Sequence, residues 1–395
     1  QALTSTQISG ISTSLVSTLT STTLNNLTVT QVDGLTATQV AALTSVQLNA
    51  LSSTNLDELS TTQLNALITA QVSGLNATAL GNLTTTQIDD LSATKLNQLT
   101  STQYNTLTST NLDALTSTQI SGISTSLMVA LTSTTLNTLT TTQIDALTST
   151  QISSLSTLQL VNLSSTNLDE MSTTQLNSLT TAQLRNLNTA TLNALTSTQL
   201  AGLSATMISN LTSTELNSLT STNLQTLTTT EVQNLATLQI SALTSTALNN
   251  LTSTQLSNLT TTQVKTISTS DLANLFTTQM DALTSTQLAV LSTIQVASLN
   301  SLDIAELTTT QASIMATTQI GALTTTQIQQ LTSTVLAALS TTQVSSISTQ
   351  DINQLNSTQL QALTSTQLLA LTPSQVSAIS TLYQNALGTN MGYLG

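Results

Sequence analysis

The sequence predicts an all-α fold: a repeat solenoid, a superhelical coil of very short capped helices, one per octapeptide. Three observations predict it. Forty-eight consecutive octapeptides occupy residues 3–386 without one inserted or deleted residue. Octad position 1 is Leu in 41 of them and Ile or Met in the rest, and position 6 is Leu, Ile, Val or Met except at Tyr104, Ala312 and Gln384. Position 2 is Ser or Thr forty times and position 5 is Gln twenty-eight times, the spacing of a helix capping box. The consensus Leu-Thr-Ser-Thr-Gln-Leu-Asn-Ala is approached closely at 43–50, 195–202 and 363–370. An insertion would turn all downstream residues out of phase, so each octad must hold an equivalent place in one continuous stack.

The octad explains itself position by position. With the position-2 Thr as N-cap, positions 3 and 4 fall in the first turn and the position-5 Gln at N3. The Thr hydroxyl then accepts from the N3 amide while the Gln side chain returns to the N-cap amide. Position 1 precedes the cap and position 6 is N4, so their leucines form a hydrophobic staple that fixes the angle at which the chain enters the helix. Asn replaces the cap hydroxyl at Asn76, Asn188, Asn300 and Asn356, and only Ile68, Ala236, Phe276 and Ala316 lack a cap-competent side chain. Glu215 and Glu231 can serve at position 5 as Gln does. The single proline, Pro373, follows Thr372 at N1, the helical site where a missing N–H and a fixed φ are welcome. Positions 7 and 8 read as a solvated face.

Eight residues advance about 800° along an α-helix, so a fused helix would let its apolar stripe drift about 80° per octad. The chain must therefore bend at each cap. The alternative is a β-solenoid, suggested by the abundant Thr. A straight strand that buries the position-1 Leu also buries Ser and Gln at positions 3 and 5 and leaves the position-6 Leu outside. A turn inside the octad could repair this, but that stretch offers no Gly or Asn-Gly. The helix places each position-6 Leu three residues from the next position-1 Leu, on one face.

No linker, charge block or composition shift interrupts the array, so residues 1–386 read as one continuous octapeptide-repeat solenoid. Residues 387–395 leave the pattern as a C-terminal tail or cap, and Tyr383 and Gln384 already break the last octad. The chain opens in mid-octad at Gln1-Ala2, as expected of a processed product or part of a longer chain. A second period overlies the first: 11–15 recurs at 123–127 and 52–58 at 164–170, fourteen octads on, and Asn55, Asn111, Asn167 and Asn223 are seven octads apart. Duplication history accounts for this. So would a superhelix in which seven octads make a whole number of turns.

Composition excludes more than it assigns. Charged residues are 5% of the chain and the net charge is −13, a weak acidic field that disfavours nucleic acid and anionic membrane as partners. No apolar run reaches about 20 residues, so no membrane span is expected. Without His or Cys the usual bases, thiol nucleophiles and zinc sets are missing. The acid pairs Asp57-Glu58, Asp89-Asp90 and Asp169-Glu170 sit at positions 7 and 8 without a calcium-loop pattern. Lys95, Arg185 and Lys265 are too dispersed for a binding patch. Triplets such as Asn26-Leu27-Thr28 and Asn162-Leu163-Ser164 match glycosylation acceptors, but arise wherever a position-8 Asn meets the next Leu-Thr or Leu-Ser. No catalytic, cofactor-binding or metal residue is expected.

The Leu-Thr-x-x-Gln-Leu/Ile/Val-x-Ala-Leu octads resemble the low-complexity repeat regions of large bacterial surface and secreted proteins, adhesin-like exoproteins among them. The resemblance covers essentially the whole chain. It implies a stalk, fibre or matrix component outside the cell. An open-ended solenoid with few charges is itself expected to self-associate into fibres or filaments, end to end or side by side, through Thr, Gln and Asn hydrogen bonds. The alternative is a binding module in which spaced Thr and Asn meet a repetitive ligand, polysaccharide or ice. Leu371-Thr-Pro-Ser-Gln-Val376 also resembles the helix opening of TAL-effector repeats; the rest of that module is missing, so DNA binding is not carried over. Far-ultraviolet circular dichroism should show helix in large excess over strand; a strand-dominated spectrum would sink the helical solenoid.

Overall fold

The structure, a computed structural model, describes residues 3–379; the expected breaks at Tyr383 and Gln384 and the tail 387–395 lie outside the described residues. Almost every octad forms one α-helix of four to six residues, such as Ser45–Asn49, Thr61–Ala66 and Thr325–Gln330. No strand occurs among the described residues, so the β alternative is not realised. Each helix starts at position 3 because position 2 is extended: Thr44 has φ −79° and ψ 157° and receives the Gln47 N–H on its hydroxyl. In many octads position 1 is extended as well, as at Leu67 with φ −55° and ψ 139°. Two extended residues are enough to end one helix and re-aim the next. Pro373 is the first helical residue of its octad, where its ring costs nothing.

Two compact units are present, residues 1–199 and 200–395, and the same packing recurs inside each. A helix packs chiefly on the helix three octads along: Ala37–Val40 on Thr61–Ala66 in the first unit, Ala205–Asn210 on Thr229–Asn234 in the second. Leucines at positions 1 and 6 turn inward together. Leu43 and Leu48 are buried in the first unit, Leu251 and Leu256 in the second, and position 6 stays buried throughout the described octads that carry an aliphatic residue there before residue 365. Each buried leucine contributes roughly 1.5–3 kcal/mol by leaving water.

Where turns approach closely, small residues are required. A Cβ on Gly74 would lie 2.8 Å from the Ser45 Cβ, and one on Gly122 would lie 2.8 Å from the Ala93 Cβ. Both glycines stand at octad position 8, against position 3 three octads earlier.

One premise of the sequence reading fails. Burial of the position-5 Gln counts there against a strand, yet the helical fold buries this residue almost everywhere: Gln39, Gln151, Gln263 and Gln327 are each 2% exposed. The cost of burying an amide is met because every polar end finds a partner.

Leu147→Asp, a position-1 replacement at a 5%-exposed site, should destabilise the first unit by on the order of 4 kcal/mol, because it buries a charge with no partner. Ser121→Asp, at an exposed position 7, should change the denaturation midpoint little. Equal effects would mean that the inward face is misassigned.

Candidate functional site

The polar groups that organise this molecule are inside it. Position 1 is the hinge between helices, so its carbonyl lies outside the helical ladder and needs another donor. The position-5 carboxamide supplies one. In the first unit the Gln47 Oε1 accepts the Thr44 N–H at 2.7 Å, completing the capping box. The Gln47 Nε2 donates to the Leu19 carbonyl at 2.7 Å and to the Val16 carbonyl at 3.2 Å. In the second unit Gln263 repeats this, with Oε1 on the Thr260 N–H at 2.8 Å and Nε2 on the carbonyls of Leu235 and Val232 at 2.8 and 2.9 Å. The acceptors stand 28 and 31 residues back in sequence. One side chain thus caps its own helix and ties it to the preceding turn.

These spacings fix the coil within each unit. Together with helices that pack three octads apart, they put between three and four octads in a turn. Seven octads then make about two turns, the geometric reading of the seven-octad spacing, which is compatible with duplication. Asn55, Asn111 and Asn167 occupy equivalent sites in the first unit. Each donates to the carbonyl 31 residues back, Leu24, Leu80 and Leu136, at 2.9–3.0 Å.

Asn is too short to reach its own N-cap amide, and another residue takes that task. The Ser52 N–H donates to Oδ1 of Asn25 at 2.8 Å, while the Asn25 Nδ2 donates to the Ala50 carbonyl at 2.6 Å. Asn137 serves Ser164 in the same way, at 2.8 Å, and donates to the Asn162 carbonyl at 2.7 Å. The bridge recurs from Asn49, Asn65, Asn97 and Asn105 in the first unit and from Asn217 and Asn249 in the second. Position 7 is therefore not a plain solvated face where it carries Asn.

This complementarity is written in the sequence, but an octad-by-octad reading misses it. Eleven position-7 asparagines have a position-5 residue 30 places on, and ten of those residues are neither Gln nor Glu. The exception, Gln279, bears out the mechanism: its N-cap Phe276 has no hydroxyl, the Phe276 N–H goes to Asn249 Oδ1 at 2.9 Å, and no capping box forms. In most of the described octads a Gln or Glu of the same octad, or an Asn from the preceding turn, serves the N-cap amide; Thr332, with Val335 at position 5 and Ala305 thirty residues before that valine, has neither. Comparing position 7 with position 5 at an offset of 30 is the signal that finds the pairing.

Other substitutes show what the slot demands. Lys95 reaches the Leu67 carbonyl through Nζ, replacing the donor end but not the acceptor end, and Asn65 Oδ1 takes the Ser92 N–H instead. Asp271 and Asp351 accept hydroxyls across the turn, from Ser245 at 2.6 Å and Thr325 at 2.5 Å. Glu215 and Glu231 keep the capping half, accepting the Thr212 and Thr228 N–H groups at 2.5 and 2.6 Å. The second carboxyl oxygen of each is buried without a hydrogen-bond partner, as is Oδ2 of Asp303. Burial pushes the Glu231 carboxyl above the usual range against the lowering effect of the Thr228 hydrogen bonds. It pushes Asp303 up to about 6, with help from the negative charge of Asp281. Burial likewise raises the Tyr104 phenol, whose hydroxyl is unpartnered in the apolar interior.

Asp57 and both members of the Asp89-Asp90 and Asp169-Glu170 pairs are exposed, and Glu58 is half-buried. Among the described residues no three His, Cys, Asp or Glu side chains group as metal ligands, and no helix is long and apolar enough to cross a membrane. Interior voids beside Tyr104 and Lys95 measure about 10 and 20 Å³, room for about one water molecule. Lys95 is half-buried, whereas Arg185 and Lys265 are exposed. No protein-family model matches the chain, and no curated protein matches it.

The exchange between the two cap acceptors makes a double-mutant test. Asn137→Ala should destabilise the first unit by about 1–3 kcal/mol, since it strands the Ser164 N–H. Adding Asn167→Gln, which supplies the capping oxygen from within the octad, should recover most of the loss. Denaturant midpoints of the four proteins in the cycle measure the coupling; additive effects would show that the two residues do not serve one amide.

Proposed function

We propose that this chain is a non-catalytic structural protein, an extracellular scaffold whose array length is its function, assembling into rods, fibres or filaments. The observation that carries this reading is the ladder. Within each unit nearly every described octad commits its best-placed polar side chain to the neighbouring turn. A scaffold needs this equivalence of units, because strength and length then grow by adding copies. The outward residues suit contacts between copies, with Ser and Thr at positions 3 and 4 and scattered apolar tips at Leu158, Leu238, Ile294 and Leu369. The resemblance to repeat regions of bacterial surface proteins supports an extracellular, cell-surface setting. No specific observation favours recognition of a polysaccharide, and an ice-binding reading would be better served by a flat strand face than by short helices.

Electron microscopy and solution scattering test the proposal on the parent and two deletions. The parent should form elongated assemblies. Removing residues 147–154, one whole octad, should preserve them, at a cost near the loss of the single Asn137 bridge that spans the cut, about 1–3 kcal/mol. Removing residues 147–150 places Gln151 where a position-1 leucine belongs, and should abolish folding around the cut and assembly with it. Compact, unassociated parent particles, or equal tolerance of both deletions, would overturn the scaffold reading.

A further inference from the structure

Glu231 occupies a slot built for a carboxamide. Its Oε2 already performs the acceptor task, taking the Thr228 N–H at 2.6 Å. Its Oε1 stands where Gln carries Nε2, and at equivalent octads that nitrogen meets backbone oxygens: Leu224 and Leu227 at 2.8 and 2.7 Å from Gln255, Val232 and Leu235 at 2.9 and 2.8 Å from Gln263. The same offsets of 31 and 28 residues assign the carbonyls of Leu200 and Leu203 to Glu231. Glu231 is 3% exposed, and its Oε1 is buried with no partner. An ionised carboxylate would aim a negative oxygen at two carbonyl oxygens in a dry interior, a costly arrangement.

We propose that Glu231 is a proton-binding site: a neutral carboxylic acid whose Oε1–H donates to the Leu200 or Leu203 carbonyl and completes the inter-turn ladder in place of an amide. The proton comes from solvent, and no bond other than O–H forms or breaks. No compensating cation reaches the site from the helices packed most closely on it. Ala205–Asn210 and Ser253–Ser257 carry no titratable or charged side chain, and Glu231 is the only charged residue on its own helix, Thr229–Asn234. The raised proton affinity of the Glu231 carboxyl has the sign this bond requires. A group held protonated on folding adds stability that is fully present below the ordinary Glu value of about 4.3 and is lost as pH rises through its folded value. The second unit therefore has a rung that tightens in acid and loosens toward alkali, where Gln would be indifferent.

E231Q decides the matter, because it installs the consensus residue and keeps the fold. Carboxyl-carbon NMR of the full chain should show a Glu resonance that titrates well above those of the exposed glutamates and disappears in E231Q. Unfolding midpoints of parent and E231Q should coincide near pH 4 and separate as pH rises, with E231Q the more stable. A Glu231 resonance titrating with the exposed glutamates, or parallel pH profiles for the two proteins, would overturn the proposal.

Discussion

A primary amide carries a donor and an acceptor on a single carbon, and the fold of this chain depends on using both. The acceptor end of the position-5 Gln closes a cap within its octad, and the donor end closes a hinge carbonyl on the preceding turn. The helices are too short to stand alone, since one and a half turns cannot repay nucleation. The bends that separate them expose backbone carbonyls that only a neighbouring turn can cover. The side chain that begins a helix is thus also the one that makes it stack, so local and tertiary structure form together. Leucine burial supplies most of the driving force, while the amides set the register in which leucines meet.

The slot tolerates change only when each end is accounted for separately. Asn keeps the donor, and an Asn from the preceding turn restores the acceptor at Ser52 and Ser164. Glu231 keeps the acceptor, and the proton proposed for its other oxygen replaces the donor end. Asp271 and Asp351 recruit a hydroxyl across the turn. These are different answers to one demand, that a buried polar group find a partner, and the unpartnered oxygens of Glu215 and Asp303 mark where it goes unmet. The same requirement explains why the array contains no insertion: a displaced octad would misalign two amide partners and two leucines at once.

The outer face carries few such constraints, and its composition is correspondingly plain. Among the described residues, Ser and Thr at positions 3 and 4 are exposed or half-buried, and most acids at positions 7 and 8 are exposed along the array. A protein organised in this way invests its chemistry in its own continuity, which is the property a load-bearing or space-filling polymer needs.

The sequence by itself determined the helix, its length and its caps, because those interactions join residues three or four apart and repeat in every octad. Thr44 and Gln47 state their relation within four letters, and Leu43 and Leu48 declare the buried stripe by composition alone. Pro373 could be placed at the start of its helix for the same reason. Tertiary structure alone decided how many octads make a turn, and so which carbonyl each Gln Nε2 meets and why a polar row lies in the core. It also decided that Asn25 and Asn137 bond across to the next turn, and that Glu231 lacks a partner for one oxygen. Those relations cross from one turn of the coil to the next. Their offset is set by the bend at each hinge and by leucine packing, and no single octad contains either.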